Sequence, residues 1–367
     1  KTFFGVMPDW NPAEMIGIRP RPLSLSLYQN LITDSTWAYQ RDNYGYRKLR
    51  GIPLMQSFSG IPFIDLRVSF NSFIPKSLDK KIAEKLVNYY LDELSKKPHL
   101  HDKIEFEIAF TCFTFTTSKR MNKLLDYNFN KIEVRKIKNS LIALTNNIIN
   151  YKTGIWRTDL DKIKELTTRR KKIDESSLSA EEKVFFLLED CRRYGTLPFA
   201  GLARVGFISI EFLNSLEDMN IITDIDKQNF LLSLQTITTS LSNDIVKMNK
   251  KIFLEKYGHL RPGTYDIRSK RYDENYSSYF RYHTKSNKSI TKNRFKLTEN
   301  QVKKIKMILN QNKIDYDVKY FFKFLKEGIE SREFAKFEFT KNVSLILKLI
   351  TKLGKKFGFS RDDCSFI

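Results

Sequence analysis

Cysteine is scarce: Cys112, Cys191 and Cys364 lie far apart and form no CxxC pair. They support neither a disulfide framework nor a thiolate zinc site, and a reducing, cytoplasmic compartment is the simplest expectation. Histidine is nearly as rare, with four residues in the chain. His99 and His101 in "KPHLHDK" have no further His or Cys nearby and read as a solvated turn, and His283 in "FRYHTKS" carries no pattern. No bound metal is expected. A run of 18 apolar residues is missing, so no membrane span or membrane partner is expected. The opening "KTFFGVMPDW" lacks a signal peptide's apolar core and cleavage site, and it has no initiator Met. The chain therefore reads as a piece excised from a longer protein. Walker A, GxGxxG, HExxH and GxSxG patterns are also lacking, which leaves the commonest nucleotide, metalloprotease and serine-hydrolase chemistries without support.

Positive charge, by contrast, is abundant: 64 basic against 42 acidic residues give +22. Charge alone motivates a basic nucleic-acid-binding protein as one reading. However, the lysines are interleaved with acids, as in "DKKIAEKLVNYYLDELSKK", which is the pattern of a solvated helix face. Nucleic acid is therefore the alternative of another class, not the main expectation. At 41% hydrophobic and 13% aromatic, the composition suits a folded globular chain.

The apolar pattern predicts an α+β fold, predominantly α-helical, with a small sheet from the N-terminal third. Residues 1–125 read as an irregular Arg- and aromatic-rich segment with a small β-sheet and one helix. Residues 126–367 read as a helical region that includes a His/Arg loop at 257–274, the two together making one integrated domain. Alternation predicts strands at "IPFIDLRVSFNSF" and "KIEFEIAFTCFTF". Ser77 is a candidate cap for the helix that stops at Pro98. Val134, Ile137, Leu141, Leu144 and Ile148 form one helical stripe. "SAEE" and "TENQ" have capping-box spacing, and Pro198 suits the first turn of a separate helix. "TDID" opens an expected helix of about thirty residues that ends at Gly258. A polar, tyrosine-rich stretch at 272–296 leads to a last helical region that ends at Gly358.

Two polar clusters are candidates for chemistry. The first comprises Asp9, Trp10, Asn11, Glu14, Arg19, Arg21, Asp34, Arg41, Tyr44, Arg47, Arg67 and Asn71. Guanidinium groups fix carboxylates or phosphates through paired hydrogen bonds, and a strand at 61–71 would hold Arg67 and Asn71 on one face. Structural ion pairs to Asp9, Asp34, Asp42 and Asp65 would explain the same arginines equally well. The second cluster is "YGHLRPGTYDIRSKRYDE", with His259, Arg261, Asp266, Arg268 and Arg271 on a turn that Pro262-Gly263 stiffens. His259 can exchange protons near neutrality and Arg261 can offset phosphoryl charge, or His259 can simply cap the preceding helix.

Five segments occur in order: "PDWNPAEMIGIRPRPLSLSLY", "IDLRVSFNSFIP", "GTLPFAGLARVGFISIEFLNSL", "YGHLRPGTYDIRSKRYDE" and "SREFAKFEFTKNVSLILKLITKLGKKFGFSRDDCSF". Together they resemble the central region of enzymes related to phosphoenolpyruvate synthase and rifampicin phosphotransferase. The "GHLRPG" turn is similar to that group's glycine-histidine-arginine-proline-glycine turn, with Leu260 inserted. The resemblance implies an acceptor-binding region that works with two further domains of the same polypeptide. An ATP-grasp domain would bind ATP and Mg2+, and a swivelling domain would carry a phosphorylated histidine, with AMP and phosphate as the other products. Neither domain's motifs occur here, so no cofactor is expected within the chain, and alone it should bind without turning over. The resemblance also implies that His259 and Arg261 act catalytically. The implied substrate-binding residues are Asp9, Trp10, Asn11, Glu14, Arg19, Arg21, Arg67, Asn71, Asp266 and Arg271. "MPDWNPAEMIG" looks most like capsule-pathway L-glutamine kinases, which implies L-glutamine as the acceptor, with pyruvate or another small acceptor as the alternative.

Overall fold

Proline and glycine shape the first quarter of the chain. The computed structural model describes residues 3–280, 295–314 and 316–367; His283 lies outside them. β1 (Phe4–Gly5) is followed by α1 (Pro12–Ile16) and α2 (Pro22–Tyr28), each opened by a proline at its first position, where a missing N–H costs nothing. A π-helical turn, Gln29–Thr33, leads to α3 (Thr36–Asn43). β2 (Met55–Phe58) and β3 (Ile61–Asp65) form a hairpin whose turn, Ser59 and Gly60, has φ of 51° and 77°. Positive φ at both turn positions matches the twist of the paired strands. The sheet order is β1-β3-β2, all antiparallel, with Phe4 opposite Asp65 and Phe58 opposite Ile61.

The alternating stretch after Ile61 is only half strand. It ends at Asp65, which caps α4 (Leu66–Ser72) by accepting from Val68 N at 3.0 Å. Arg67 and Asn71 are thus one helical turn apart, with Asn71 Nδ2 donating to the Arg67 carbonyl at 2.8 Å. α5 (Lys80–Lys96) is capped by Asp79 in place of Ser77. The second expected strand is also absent. Residues Ile104–Ile108 form a π-helical turn that buries Ile104 and Ile108, and extended chain without a strand partner follows. α6 (Thr117–Met121) completes this part, which therefore holds several short helices around the sheet.

From there the helices lengthen. α7 (Lys131–Ile149) buries the expected stripe except for Val134, which is half-buried, and carries an Asn130–Glu133 capping box. α8 (Ile155–Asp174) precedes α9 (Ala180–Asp190), where Ser179 and Glu182 form the expected box. α10 (Leu197–Asp218) does not start afresh at Pro198: a π-helical segment, Cys191–Thr196, joins it to α9. The wider turn accommodates the proline's ring and missing N–H. The resulting 39-residue rod is the one described helix long and apolar enough to cross a membrane, but 78% of its apolar window is buried inside the fold. It is a core helix.

The single helix expected after Thr223 is three helices: α11 (Asp224–Leu232), α12 (Ile237–Lys247) and α13 (Lys250–Tyr257). Thr236 and Asn249 cap new helices with their side chains, so the local hydrogen bond wins over continuity. α14 (Tyr276–Tyr279) is a single turn, and α15 (Glu299–Gln311) opens with the Thr298–Gln301 box. α16 (Val318–Lys356) spans 39 residues, packs along α10 and stops two residues before Gly358.

The chain is two-thirds helical with one small sheet, a predominantly helical α+β fold. One apolar core runs from Leu23 to Cys364 and joins Trp37, Phe70 and Phe113 to Leu202, Phe321 and Leu347. A satellite core of Phe253, Tyr257 and Phe337 seats α12 and α13 on α16.

Candidate functional site

Between the N-terminal loop, the π turn at 104–108, α10 and α16 lies a cleft of ≈ 420 Å3. Asp9, Trp10, Asn11 and Glu14 line one side, and Arg41 reaches it from α3. Trp10 and Asn11 have φ of 66° and 30°, left-handed values that side chains other than glycine rarely adopt. Each such residue costs about 1–3 kcal/mol and persists only when its surroundings enforce it. Tyr28 enforces it by donating its hydroxyl to the Trp10 carbonyl at 2.5 Å. Asn11 caps α1 by accepting from Glu14 N at 3.1 Å, while its amide donates to the Glu14 carboxylate at 2.9 Å. The loop is therefore held open-side out, with the Trp10 ring edge-on to Phe199.

The cleft floor is a set of four charges, with Arg41 and Arg204 buried and Asp9 and Glu105 partly buried. Arg41 donates to both oxygens of Asp9, at 3.2 and 3.3 Å, and Arg204 makes two bonds to Glu105. Both guanidinium groups lie on the rings of Tyr46 and Phe73, where cation–π attraction offsets part of their lost hydration. The two pairs are unequal. Burial raises the Asp9 pKa and lowers that of Arg41, with Arg204 adding repulsion to the latter. Burial also opposes the Arg204 charge, but Glu105 and Tyr46 outweigh it and hold the pKa of Arg204 above its ordinary value.

Behind the floor, Tyr44 donates to Asp159 Oδ2 at 2.7 Å in the core. Burial pushes the Asp159 carboxyl up to about 6, although the Tyr44 bond works the other way. α10 can pass this close only because position 201 is glycine: a Cβ there would lie 2.2 Å from Asp159 Oδ2 and 2.3 Å from the Tyr44 hydroxyl.

The other expected site residues lie elsewhere. Arg19 is exposed, and Arg21 pairs with Asp362 at 3.6 Å and stacks on Phe366. Arg67 bonds Asn88, and Asn71 accepts from Arg47 at 2.6 Å. None of these four lines the cleft, nor does any residue of 257–274. That segment is a loop anchored to α16. Arg261 is buried and bonds the Asp266 carbonyl and the Ser344 hydroxyl, and Ser344 donates to the His259 carbonyl at 2.8 Å. Burial, followed by repulsion from Arg271, brings the pKa of Arg261 down to about 10. Asp266 pairs with Arg268, and Arg271 with Asp273. His259 packs edge-on to Phe337, and its Nε2 is buried without a partner. Burial, then the nearby Lys341, lowers its pKa to about 3, which favours a neutral imidazole near pH 7. The preceding helix is closed by Gly258 N bonding the Leu254 carbonyl, without the His259 side chain.

Sequence reasoning thus found the contiguous wall, Asp9 to Glu14, and included Arg41 in its wider cluster. It missed Glu105, Arg204, Arg332 and Lys336, which also line the cleft. One signal was present: Arg204 is the only charge between Leu197 and Ile210, an otherwise apolar helical run. Among the described residues, no group of three or more His, Cys, Asp or Glu is placed to hold a metal ion. Comparison with protein-family models, with curated proteins and with solved structures finds no match to this chain.

Proposed function

We propose that this chain is the acceptor-binding part of an ATP-dependent phosphotransferase, and that its acceptor is L-glutamine, as in capsule phosphoramidate synthesis in the cytoplasm. One observation carries the reading: a cleft of ≈ 420 Å3 combines a rigid aromatic wall with charges of both signs. That volume suits a small metabolite, and the few convergent polar groups suit an amino acid with a carboxylate, an ammonium and an amide. The sequence resemblance supports the same assignment. An amide is a poor nucleophile, so the contribution of such a domain is to hold it in line with an incoming phosphohistidine. The residues proposed to do so are Asp9, Trp10, Asn11, Glu14, Arg41 and Arg204. ATP, Mg2+ and the phosphorylated histidine would belong to other domains of the same enzyme, and His259 would fix the loop's seat on α16. Pyruvate is the alternative acceptor.

The test is a thermal-shift panel of L-glutamine, pyruvate, other amino acids and a short RNA. L-Glutamine should raise the melting temperature in a saturable way. Stabilisation by RNA with no small-molecule response would sink the reading in favour of a nucleic-acid function. In the intact enzyme, Glu14→Gln should lower acceptor phosphorylation and leave phosphorylation of the histidine by ATP in place.

A further inference from the structure

The charges of the cleft wall do not all pair. Asp9 is taken by Arg41 and Glu105 by Arg204. Arg332 and Lys336 also line the cleft, both exposed, and neither pairs with an acidic side chain among the described residues. Their neighbours on α16 differ: Lys323, Lys326 and Lys341 meet Glu327, Glu330 and Glu338. Four residues apart, Arg332 and Lys336 stand one turn apart on a single face, where like charges repel. Arg332 is also seated. It lies over Gly206 of α10, where an added Cβ would be 3.3 Å from its Cδ and 3.4 Å from its Cβ. Glu14 and Asp102, the remaining charges of the lining, form no ion pair among the described residues either.

We infer that Arg332 and Lys336 form an anion clamp that grips a carboxylate or phosphate group of the cleft's ligand, while Glu14 and Asp102 receive its cationic or hydrogen-donating end. The clamp makes these two cations specificity-determining residues, and it rests on the cleft being the acceptor site. A planar guanidinium beside an ammonium can bind two oxygens of one anion, and the anion relieves the repulsion between them. The floor cannot take this role unaided, because its arginines already hold carboxylates.

The experiment is calorimetric titration, at constant ionic strength, of wild type, Arg332→Met, Lys336→Met and the double variant. The titrants are L-glutamine, L-glutaminamide, which lacks the carboxylate, and inorganic phosphate. Wild type should bind L-glutamine and bind the carboxamide roughly tenfold more weakly. Each single variant should lose roughly tenfold, and the double variant roughly a hundredfold. Phosphate that binds wild type but not the double variant, with no response to L-glutamine, supports the clamp and identifies phosphate as its anion. Equal binding of L-glutamine by wild type and double variant overturns the clamp and leaves the acceptor reading standing. No binding of any of the three to wild type overturns both. Methionine keeps an unbranched stem over Gly206, and Arg332→Lys should recover part of the affinity. A loss that Arg332→Lys does not recover at all, at unchanged melting temperature, counts against a charge-based clamp.

Discussion

Replacing Asp159 with Asn should make the protein more stable at pH 8 and leave it nearly unchanged at pH 4. Asp159 is 5% exposed, and among the described residues its one side-chain hydrogen-bond donor is the Tyr44 hydroxyl at 2.7 Å. Its carboxyl titrates at about 6 in the folded chain against 3.8 for an unburied aspartate. The folded state therefore holds the proton more tightly than the unfolded state. Stability from this group is fully present below pH 3.8, declines as pH rises and is gone above pH 6. At 1.36 kcal/mol for each tenfold change in ionisation, that displacement costs about 3 kcal/mol once the carboxyl is charged. Asparagine keeps an oxygen for Tyr44 and removes the charge, but its amide hydrogens need an acceptor, so the expected gain at pH 8 is about 1–3 kcal/mol. Urea unfolding of wild type and Asp159→Asn at half-unit steps from pH 4 to pH 8 gives the difference directly. A difference that stays constant across pH 4–7 would refute the reasoning, as would a variant whose deficit grows with pH.

Other outcomes follow from the same geometry. Gly201→Ala places a methyl 2.2 Å from Asp159 Oδ2, so it should destabilise by about 3 kcal/mol or more, measured by denaturant titration. The His259 imidazole should titrate below pH 4 by NMR, and a midpoint near 6.5 would mean that its burial is misjudged. Because its folded pKa is depressed, its contribution to stability is complete above pH 6.5 and is lost on acidification towards pH 3. Breaking the floor by Glu105→Gln should cost about 3–5 kcal/mol, since the buried Arg204 charge loses its partner, and Arg204→Met should cost less, because Glu105 is partly exposed at the cleft. The double variant Arg204→Met/Glu105→Gln should cost less than the two single losses combined, as a double-mutant cycle would show.

Local signals were legible in the sequence wherever a side chain bonds within one turn. Ser179–Glu182 and Thr298–Gln301 cap as read, and the stripe from Val134 to Ile148 faces the core as periodicity demands. Alternation misled where a short helix or turn also satisfies it. Leu66 and Phe70 are buried at helical spacing, and Phe106, expected to face inward with Ile104 and Ile108, lies exposed against Phe207. The long helix expected after Thr223 is interrupted where the Thr236 and Asn249 side chains cap new helices, which an apolar stripe running through Ile237 and Ile252 does not register. The cleft was half legible for the same reason. Asp9, Trp10, Asn11 and Glu14 are neighbours in sequence, whereas Glu105, Arg204, Arg332 and Lys336 come together only through the packing of the 104–108 turn, α10 and α16. In their own segments these residues look like ordinary surface charges, apart from Arg204 in its apolar run.

The π-helical segment Cys191–Thr196 has a consequence for how the cleft could have arisen and how it could be erased. A wide turn holds one residue more than a regular one, and each residue advances a helix by about 100°. Everything downstream in the rod is phased by that single extra position. Thr196 pins the phase by donating its hydroxyl to the Leu31 carbonyl, inside the other π-helical turn. Removing one residue from the segment would keep every side chain from Phe199 to Ile210 and turn them all about 100° away from the cleft. Arg204 would leave Glu105, and the apolar side of α10 would meet α16 out of step. The dependence of the floor on a one-residue count makes the site an all-or-none property of register, and a one-codon deletion would test it more severely than any substitution.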